Sequence, residues 1–293
     1  MKKIYSLFII MVVPFILNAQ DLKSYQFYNK KGKPIKFHQM VNHLADYDVV
    51  LFGEHHNNST NHWLQLQLLK SLFEARKGQL IVGAEMFERD NQEGINQYLK
   101  GIINENQLKD HVRLWSNYKT DYHPLLSFSK VHQIPFIATN IPRKYASVVA
   151  KKGVEELMNY SSDEKQWMVE MPFPIDYSAP GYPEMIAMMG DHRDKRSENF
   201  VAAQAIKDAT MAESIVKYYK SNTLFLHFNG DYHSKQYGGI YWYLKQFKPN
   251  LKVAVIQIYE SNSKDLAIKK EEFKNFIFTD FTLVLPEDTI KTY

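Results

Sequence analysis

Short apolar runs alternate with amphipathic segments along most of this chain. Six runs have the length and composition of strands, and the segments between them carry apolar residues at helical spacing. The predicted strands are Asp48–Gly53, Leu80–Met86, Ile134–Asn140, Thr223–Asn229, Leu251–Tyr259 and Asp280–Leu285, with the last assigned to an edge. The predicted helices are Asn61–Arg76, Asn91–His111, Pro124–Gln133 and Tyr237–Phe247. This alternation predicts an α/β fold with a mostly parallel central sheet flanked by helices.

Two segments interrupt the alternation. Ser24–Phe37 alternates in polarity around a Gly-containing turn, which predicts a hairpin before the first core strand. Residues 142–220 are long, helical in pattern and without a clear strand. They indicate a helical insertion or cap, at about 142–220, within a single domain over 21–293.

Met171–Asp191, inside this helical stretch, is rich in proline, methionine and aromatic residues. Methionine and aromatic side chains adapt to irregular apolar ligands, so the segment could form a lid over the strand ends. Alternatively, it covers the core as a structured loop. The sequence leaves both interpretations open.

The first twenty residues do not belong to the predicted domain. Lysines precede the apolar run Ile4–Leu17, and small or polar residues follow it, a pattern typical of a signal peptide cleaved after Ala19 or Gln20. A permanent membrane anchor is the alternative. We favour export to the periplasm or the extracellular space because the run is short for a spanning helix and contains Pro14. No later segment has the length and apolar character of a membrane span.

Charge and cysteine content exclude several classes of protein. Removing the two leader lysines from the 36 basic residues, against 32 acidic ones, lowers the formal charge from +4 to about +2. Such a balance lacks the basic footprint of nucleic-acid binding. The chain has no cysteine, so it has no disulfide, no thiolate metal site, no covalent haem attachment and no lipidation site.

Polar side chains lie where four of the predicted strands end. Glu54 and His56 follow the first strand, Glu85 ends the second, Asn140 and Arg143 end and follow the third, and Asp231 and His233 follow the fourth. Because the carboxyl ends of parallel strands share one edge of a sheet, we expect these groups to form one site. His56, Glu85 and His233 would suit a divalent metal such as zinc, manganese or iron. Glu54 could then act as the base for a bound water.

Each of these residues also has a structural interpretation. Glu54 alone would be taken as an ion-pair partner of Arg143 or as an acceptor of backbone hydrogen bonds. Either His56 or His233 alone would be taken as a hydrogen-bonded polar residue. Glu85 is more informative, because an ionised carboxylate inside an apolar run is costly unless it is paired. That cost favours a functional interpretation of the group.

Three further residues could support the site. His62, one turn into the first long helix, either points back toward the strand ends or lies on the surface. Arg89 and Arg143 could hold an anionic substituent such as a carboxylate, or they could form ordinary salt bridges.

The order of motifs resembles a known family. The motifs are Leu51–Asn58 (LFGEHHNN), Gly83–Arg89 (GAEMFER), Asn140–Arg143 (NIPR) and Asn229–His233 (NGDYH). Together they are similar to the ChaN-like haem-binding proteins, whose wider superfamily includes Tiki metalloproteases and erythromycin-esterase-like hydrolases. The resemblance runs from about Asp48 to Phe247, most of the predicted mature chain.

The resemblance implies an exported protein that binds haem non-covalently near the carboxyl ends of the core strands, for iron or haem acquisition. It further implies haem as the cofactor, held by tyrosine in a homodimer, and outer-membrane uptake components as partners. No motif identifies the tyrosine, and Tyr177, Tyr182 and Tyr232 are candidates by their closeness to the site or the Met171–Asp191 segment. Unlike lipoprotein members, this chain has no cysteine to lipidate.

The wider superfamily implies a second function. By that resemblance the chain would be a metal-dependent, peptidase-like hydrolase that uses Glu54, His56, Glu85 and His233. The polar residues by themselves favour this enzyme, whereas the closer family resemblance favours haem. We favour haem binding and keep the hydrolase as the alternative.

Overall fold

The computed structural model describes residues 22–190 and 193–293, so the signal peptide predicted for residues 1–20 lies outside the described residues. Within these residues, eight strands form a single sheet with helices on both faces, which confirms the predicted α/β class. The strands are β1 (Gln26–Asn29), β2 (Pro34–Ile35), β3 (Val49–Glu54), β4 (Leu80–Glu88), β5 (Phe136–Asn140), β6 (Leu224–Gly230), β7 (Val253–Ser261) and β8 (Phe281–Pro286).

The strands are ordered β2-β1-β8-β7-β3-β6-β4-β5 across the sheet. The six strands from β8 to β5 are parallel, and the predicted N-terminal hairpin, β1 with β2, adds an antiparallel end. β6 lies between β3 and β4 although it comes much later in the chain. All three strands therefore bring their carboxyl ends to the centre of one edge.

The edge assignment for Asp280–Leu285 was wrong. β8 pairs with β7 on one side and with β1 on the other, where Phe27 is opposite Leu283. The hairpin returns to cover this strand, and that long-range pairing leaves no local pattern in the sequence. All of β8 except its final proline is buried.

Eleven α-helices occur in the described residues. They are α1 (Phe37–Leu44), α2 (Ser59–Ala75), α3 (Gln92–Leu99), α4 (Glu105–His111), α5 (His123–Val131), α6 (Arg143–Lys152), α7 (Ser162–Lys165), α8 (Tyr182–Met188), α9 (Lys195–Tyr218), α10 (Gly239–Phe247) and α11 (Lys270–Phe273). α1, which directly follows the hairpin, is absent from the predicted helices.

The helix predicted over Asn91–His111 is broken in two. The chain leaves the helical conformation just after α3, at Gly101. Gly101 has a φ of 72°, in the left-handed region that glycine adopts readily. Asn104 then starts α4, because its side chain accepts a hydrogen bond from the backbone N–H of Gln107. Apolar residues keep their helical spacing through this turn, so the sequence pattern did not predict the break between α3 and α4.

Among the described residues, the two larger apolar cores lie on opposite faces of the sheet. Val50 and Phe52 of β3 face the core covered by α1 to α5, whereas Val49 and Leu51 face the core covered by α6, α8, α9 and α10. Successive strand side chains point to opposite faces, so a strand covered on both sides is apolar throughout. This explains why the strands appeared as continuous apolar runs.

The predicted cap region is helical and supplies much of the layer on the α9 face. Within it, the described part of Met171–Asp191 lies against that core. Phe173 packs 6.1 Å from the ring of Tyr243, whose hydroxyl donates to the carbonyl of Pro174 at 2.8 Å. Tyr182 and Met185 are buried in the same cluster. The packing matches the alternative in which this segment covers the core.

Among the described residues, no helix combines the length and the apolar character that a bilayer crossing requires.

Candidate functional site

The polar groups predicted to converge do so in a cleft of about 500 Å³ at the carboxyl edge of the sheet. Nε2 of His233 lies 3.1 Å from Oε1 of Glu85, which joins the ends of β6 and β4 and confirms the convergence. The cleft is lined by Glu54, His55, His56, Glu85, Glu88, Trp115, Asn140, Ile141, Arg143, Gln204, Lys207, Gly230, Asp231, Tyr232 and His233.

Glu54, the last residue of β3, is a buried carboxylate with three side-chain donors. Its Oε1 accepts from Nδ1 of His56 at 2.8 Å and from the hydroxyl of Tyr122 at 2.7 Å, and its Oε2 accepts from Nε2 of Gln65 at 2.7 Å. Burial alone would raise the pKa of Glu54, but the neighbouring imidazoles of His62 and His56 and these hydrogen bonds lower it below its usual value. Glu54 is therefore ionised, and hydrogen bonds from His56, Tyr122 and Gln65 hold its carboxylate in place.

His56 is partly exposed, and its hydrogen bond to Glu54 sets the orientation of its ring. While Nδ1 donates to Glu54, the opposite edge of the ring lies above Gly230, where a Cβ would stand 2.9 Å from Cε1 and 3.0 Å from Nε2. A larger residue at 230 would displace the imidazole. The ring of Trp115 packs edge-on at 5.0 Å. Burial lowers the pKa of His56, but Glu54 and Glu85 outweigh it and the net pKa is raised.

The loop that carries His56 is fixed by its backbone. The His56 carbonyl accepts from Nε2 of His62 at 3.0 Å and from Nδ2 of Asn117 at 2.9 Å. This placement of His62 agrees with the expectation that it points back toward the strand ends. Thr292 ties the loop to the end of the chain, since its backbone N–H donates to the carbonyl of Asn57 at 3.0 Å.

The second half of the site centres on His233, which lies between two buried carboxylates. Nε2 faces Glu85, and Nδ1 forms a very short hydrogen bond with Asp208 of α9. Burial lowers the pKa of His233, but the charges of Glu85 and Asp208 outweigh it and raise the pKa to about 9. The imidazole is therefore cationic at neutral pH.

Glu85 is fully engaged by its neighbours. Its second oxygen accepts from the backbone N–H of Gly230 at 2.6 Å. Burial raises its pKa, but His233, His56 and this hydrogen bond lower it well below its usual range. The cost of burying Glu85 is thus offset by a cation and a backbone donor.

This arrangement does not support the predicted divalent metal site. The described residues contain no group of three or more histidine or acidic side chains arranged to hold a metal ion. Both ring nitrogens of His233 and both oxygens of Glu85 face other protein groups. The assignment of His56, Glu85 and His233 as ligands of one zinc, manganese or iron ion, with Glu54 as the base for its water, is therefore unsupported.

The predicted supporting residues separate into two groups. Asn140 lines the cleft and donates to the backbone carbonyl of Glu85 at 3.1 Å, and Arg143 lines it from the first position of α6. Arg89 lies elsewhere, and its guanidinium contacts the Ser214 hydroxyl, the Met168 and Thr210 carbonyls and the Glu213 carboxylate. The 3₁₀ turn after β4 directs Arg89 toward α9, so it is a structural residue.

Asp231 also lines the cleft, at the start of a 3₁₀ turn. Its Oδ1 accepts from the backbone N–H of Ile258 at 2.9 Å, and it crosses so close to β3 that only a glycine fits at Gly53. Burial raises the pKa of Asp231 to about 6. Gly53 of the LFGEHHNN motif therefore makes room for Asp231 of the NGDYH motif.

The three candidate tyrosines occupy different environments. Tyr232 lines the cleft with 44% of its surface exposed, and Nζ of Lys235 lies 3.6 Å from the centre of its ring. Tyr182 is buried, and its hydroxyl donates to Asp208 at 2.8 Å. Burial raises the pKa of Tyr182 well above its usual value. Tyr177 packs against the guanidinium of Arg193, outside the described lining.

Sequence reasoning missed the contribution of α9. Gln204, Lys207 and Asp208 share one face of this helix and reach the site or its histidine. Asp208 is fully buried among alanines, including Ala205 and Ala209. The signal that singled out Glu85, an acid in an apolar stretch, also applies to Asp208.

Most charges of the cleft are balanced within the protein. Glu54 pairs with His56, Glu85 with His233, and Glu88 with Arg113 at 2.6 Å. Among the described residues, the side chains of Arg143 and Lys207 form no salt bridge, so the pairing of Glu54 with Arg143 considered above does not occur. These two cations remain available to an anionic ligand.

Comparisons with known proteins agree with this architecture. The sequence model of a family described as "Haem-binding uptake, Tiki superfamily, ChaN" matches residues 40–244. The structure is similar to one titled "Cofacial heme binding to ChaN of Campylobacter jejuni", with a TM-score of 0.67 and 18% identity over 90% of this chain and 97% of that chain. None of the curated proteins matches the chain significantly.

Two more distant structures share less of the fold. The type III effector HopBA1 has a TM-score of 0.44 and 10% identity over 85% of this chain and 92% of that chain. A mutant of the erythromycin esterase EreC in its open conformation has a TM-score of 0.44 and 9% identity over 81% of this chain and 77% of that chain.

Proposed function

Because the chain belongs to the haem-binding uptake family of the Tiki superfamily, ChaN, we propose that it binds haem non-covalently in the cleft at the carboxyl edge of the sheet. Its role is the acquisition of haem or iron. Ligand sites are typically concave, few in number and lined by a small set of placed polar groups.

The observation that carries this proposal is the combination of side chains in the cleft. Haem requires a ligand for iron, a surface for its flat ring and cations for its two propionates. The cleft contains an exposed phenol in Tyr232, an aromatic surface in Trp115, and two cations, Arg143 and Lys207, that form no salt bridge with the described residues. Arginine in particular can bind a carboxylate through two parallel hydrogen bonds.

Tyr232 is the tyrosine we assign to iron. Tyrosinate is a known axial ligand of haem, and a ligand must reach the bound group from the surface of the cleft. Tyr232 meets this requirement, whereas the hydroxyl of Tyr182 is already bonded to Asp208 inside the core. Tyr177 lies outside the described lining of the cleft.

A haemin titration tests the proposal. We expect the purified protein without its leader to give a saturable, red-shifted Soret band, recorded by absorption spectroscopy. Tyr232→Phe should weaken binding at least roughly tenfold, which corresponds to a loss of about 1.4 kcal/mol. Tyr177→Phe is the matched control and should bind as the unaltered protein does.

Two results would count against this proposal. A titration without a saturable change would reject haem binding itself. Retention of the band in Tyr232→Phe, with its loss in Tyr177→Phe, would transfer the ligand role to the Met171–Asp191 segment.

We further propose that the protein acts after export, in the periplasm or the extracellular space. This step rests on the signal-peptide pattern of residues 1–20. We expect mass spectrometry of the protein recovered outside the cytoplasm to show an N-terminus after Ala19 or Gln20. Full-length chain confined to the cytoplasm would contradict it.

Partners are also part of the proposal. Haem exchange requires a donor and an acceptor, and the family resemblance suggests components of outer-membrane haem or iron uptake in these roles. It also suggests a second copy of the chain. The mass of the protein in solution, measured with and without haemin, distinguishes a haem-linked homodimer from a monomer.

A further inference from the structure

α9 forms one wall of the cleft, and its accessible residues follow a single stripe. Between Val201 and Ala212 every residue is buried except Gln204 and Lys207, and both of these line the cleft. Phe200 precedes them by four and seven residues, so all three lie on the same face of the helix. The accessible stripe of α9 therefore continues from the cleft to Phe200.

The direction of α9 places Phe200 at the mouth of the cleft. The C-terminal end of the helix lies at the amino edge of the sheet, where the hydroxyl of Tyr219 donates to Asp48 at 2.7 Å just before β3. The N-terminal half therefore reaches the carboxyl edge, where Asp208 bonds to His233. Because helix side chains lean toward the N-terminus, the ring of Phe200 extends outward from the cleft lining.

Phe200 differs from the aromatic residues that fill the interior. Its surface is 38% exposed, and it belongs to none of the apolar clusters formed by the described residues. A single exposed aromatic residue is common on protein surfaces and by itself indicates nothing. The informative observation is that Phe200 lies in line with two residues that already line the cleft. That alignment makes it an apolar extension of the cleft wall.

Haem is amphipathic within its own plane. Both propionates project from one edge of the porphyrin, and the opposite edge carries only methyl and vinyl groups. Along the accessible stripe of α9, Lys207 supplies a cation at one end and Phe200 supplies an apolar ring at the other. The seven residues between them span about 10 Å of helix, which is comparable to the width of a porphyrin. The order of polar and apolar groups on the helix thus matches that on the ligand.

We propose that Phe200 covers the apolar, vinyl-bearing edge of the haem while the propionates are directed toward Lys207 and Arg143; this inference rests on the proposed function. Covering that edge removes apolar surface of both the porphyrin and the phenyl ring from water, which favours binding. Phe200 is then a specificity-determining residue, because it distinguishes porphyrins by the substituents on the edge opposite the propionates.

Haem analogues test the inference. Phe200→Ala should weaken haemin binding by roughly three- to tenfold, as expected for the loss of a partly buried aromatic contact. Deuterohaemin has hydrogens in place of both vinyl groups, so its affinity should fall by less than about twofold in the same variant. The Soret band should keep its position in Phe200→Ala, because this residue does not contact the iron. Absorption titrations of both pigments with both proteins measure the four affinities.

Two further variants separate a ligand contact from a folding defect. Phe200→Leu retains an apolar side chain and should keep most of the affinity for haemin. Tyr218→Ala removes an aromatic residue of matching exposure, 37%, at the other end of α9 and should bind haemin as the unaltered protein does. Circular dichroism should show the same helix content in all variants.

The outcomes distinguish this inference from the function on which it rests. If the unaltered protein binds haemin and Phe200→Ala binds it equally well, the inference is wrong and the proposed function stands. The same holds if Phe200→Ala loses the same factor of affinity for both pigments, because the contact then does not involve the vinyl-bearing edge. If the unaltered protein binds no haemin, the proposed function itself fails.

Discussion

Glu85→Ala should lower the free energy of unfolding by about 3–5 kcal/mol, the cost of removing one partner from a buried ion pair. The substitution leaves the imidazolium of His233 without its acceptor at Nε2 and the backbone N–H of Gly230 without its 2.6 Å partner. Urea unfolding followed by circular dichroism measures the change.

The control is Glu93→Ala, which removes an exposed carboxylate on α3 and should change stability by less than about 0.5 kcal/mol. Glu85→Gln should lie between the two, because an amide oxygen still accepts a hydrogen bond while the charge is lost. A Glu85→Ala protein within about 1 kcal/mol of the unaltered one would show that the pair is not desolvated as the structure indicates.

The same pair should make stability depend on pH in two directions. His233 has a folded pKa of about 9 against an ordinary 6.5, so its contribution is complete below about 6.5 and is lost as pH rises through 9. Glu85 has a lowered pKa, so its contribution is present above its ordinary value of 4.5 and is lost on acidification. Between pH 6 and 9.5 we expect a loss on the order of 2–3 kcal/mol, measured by urea unfolding at each pH.

His233→Gln identifies the source of the alkaline loss. Glutamine does not titrate, so the variant should be less stable near pH 6 and should lose less stability from pH 6 to 9.5, the remaining loss coming from groups such as His56, whose pKa is also raised. An equal slope in both proteins would assign the pH dependence to other groups.

The sequence was sufficient for the sheet but not for its full order. Strands covered on both faces are continuous apolar runs, and this property located the five core strands from β3 to β7. Local pattern does not encode which distant strands pair. The antiparallel hairpin therefore placed β8 inside the sheet, although Asp280–Leu285 had been assigned to an edge. The break at Gly101 was missed for a related reason, because apolar spacing continued across it.

The site was predictable where residues lie at strand ends. Glu54, His56, Glu85 and His233 were brought together by topology alone, since parallel strands share a carboxyl edge. Their individual roles depended on helices that cross that edge. Asp208 of α9 occupies the second nitrogen of His233, and the same helix binds Arg89 away from the cleft. Helix orientation at a site depends on tertiary packing, which residue spacing does not show.

The position of β6 between β3 and β4 determines when this cleft can exist during synthesis. A nascent chain leaving the ribosome presents Glu54 and Glu85 long before Gly230 and His233 follow. Until that late strand inserts, Glu85 lacks its partners Gly230 and His233, and β3 and β4 have no strand between them. The cleft can therefore form only after β6 has been synthesised.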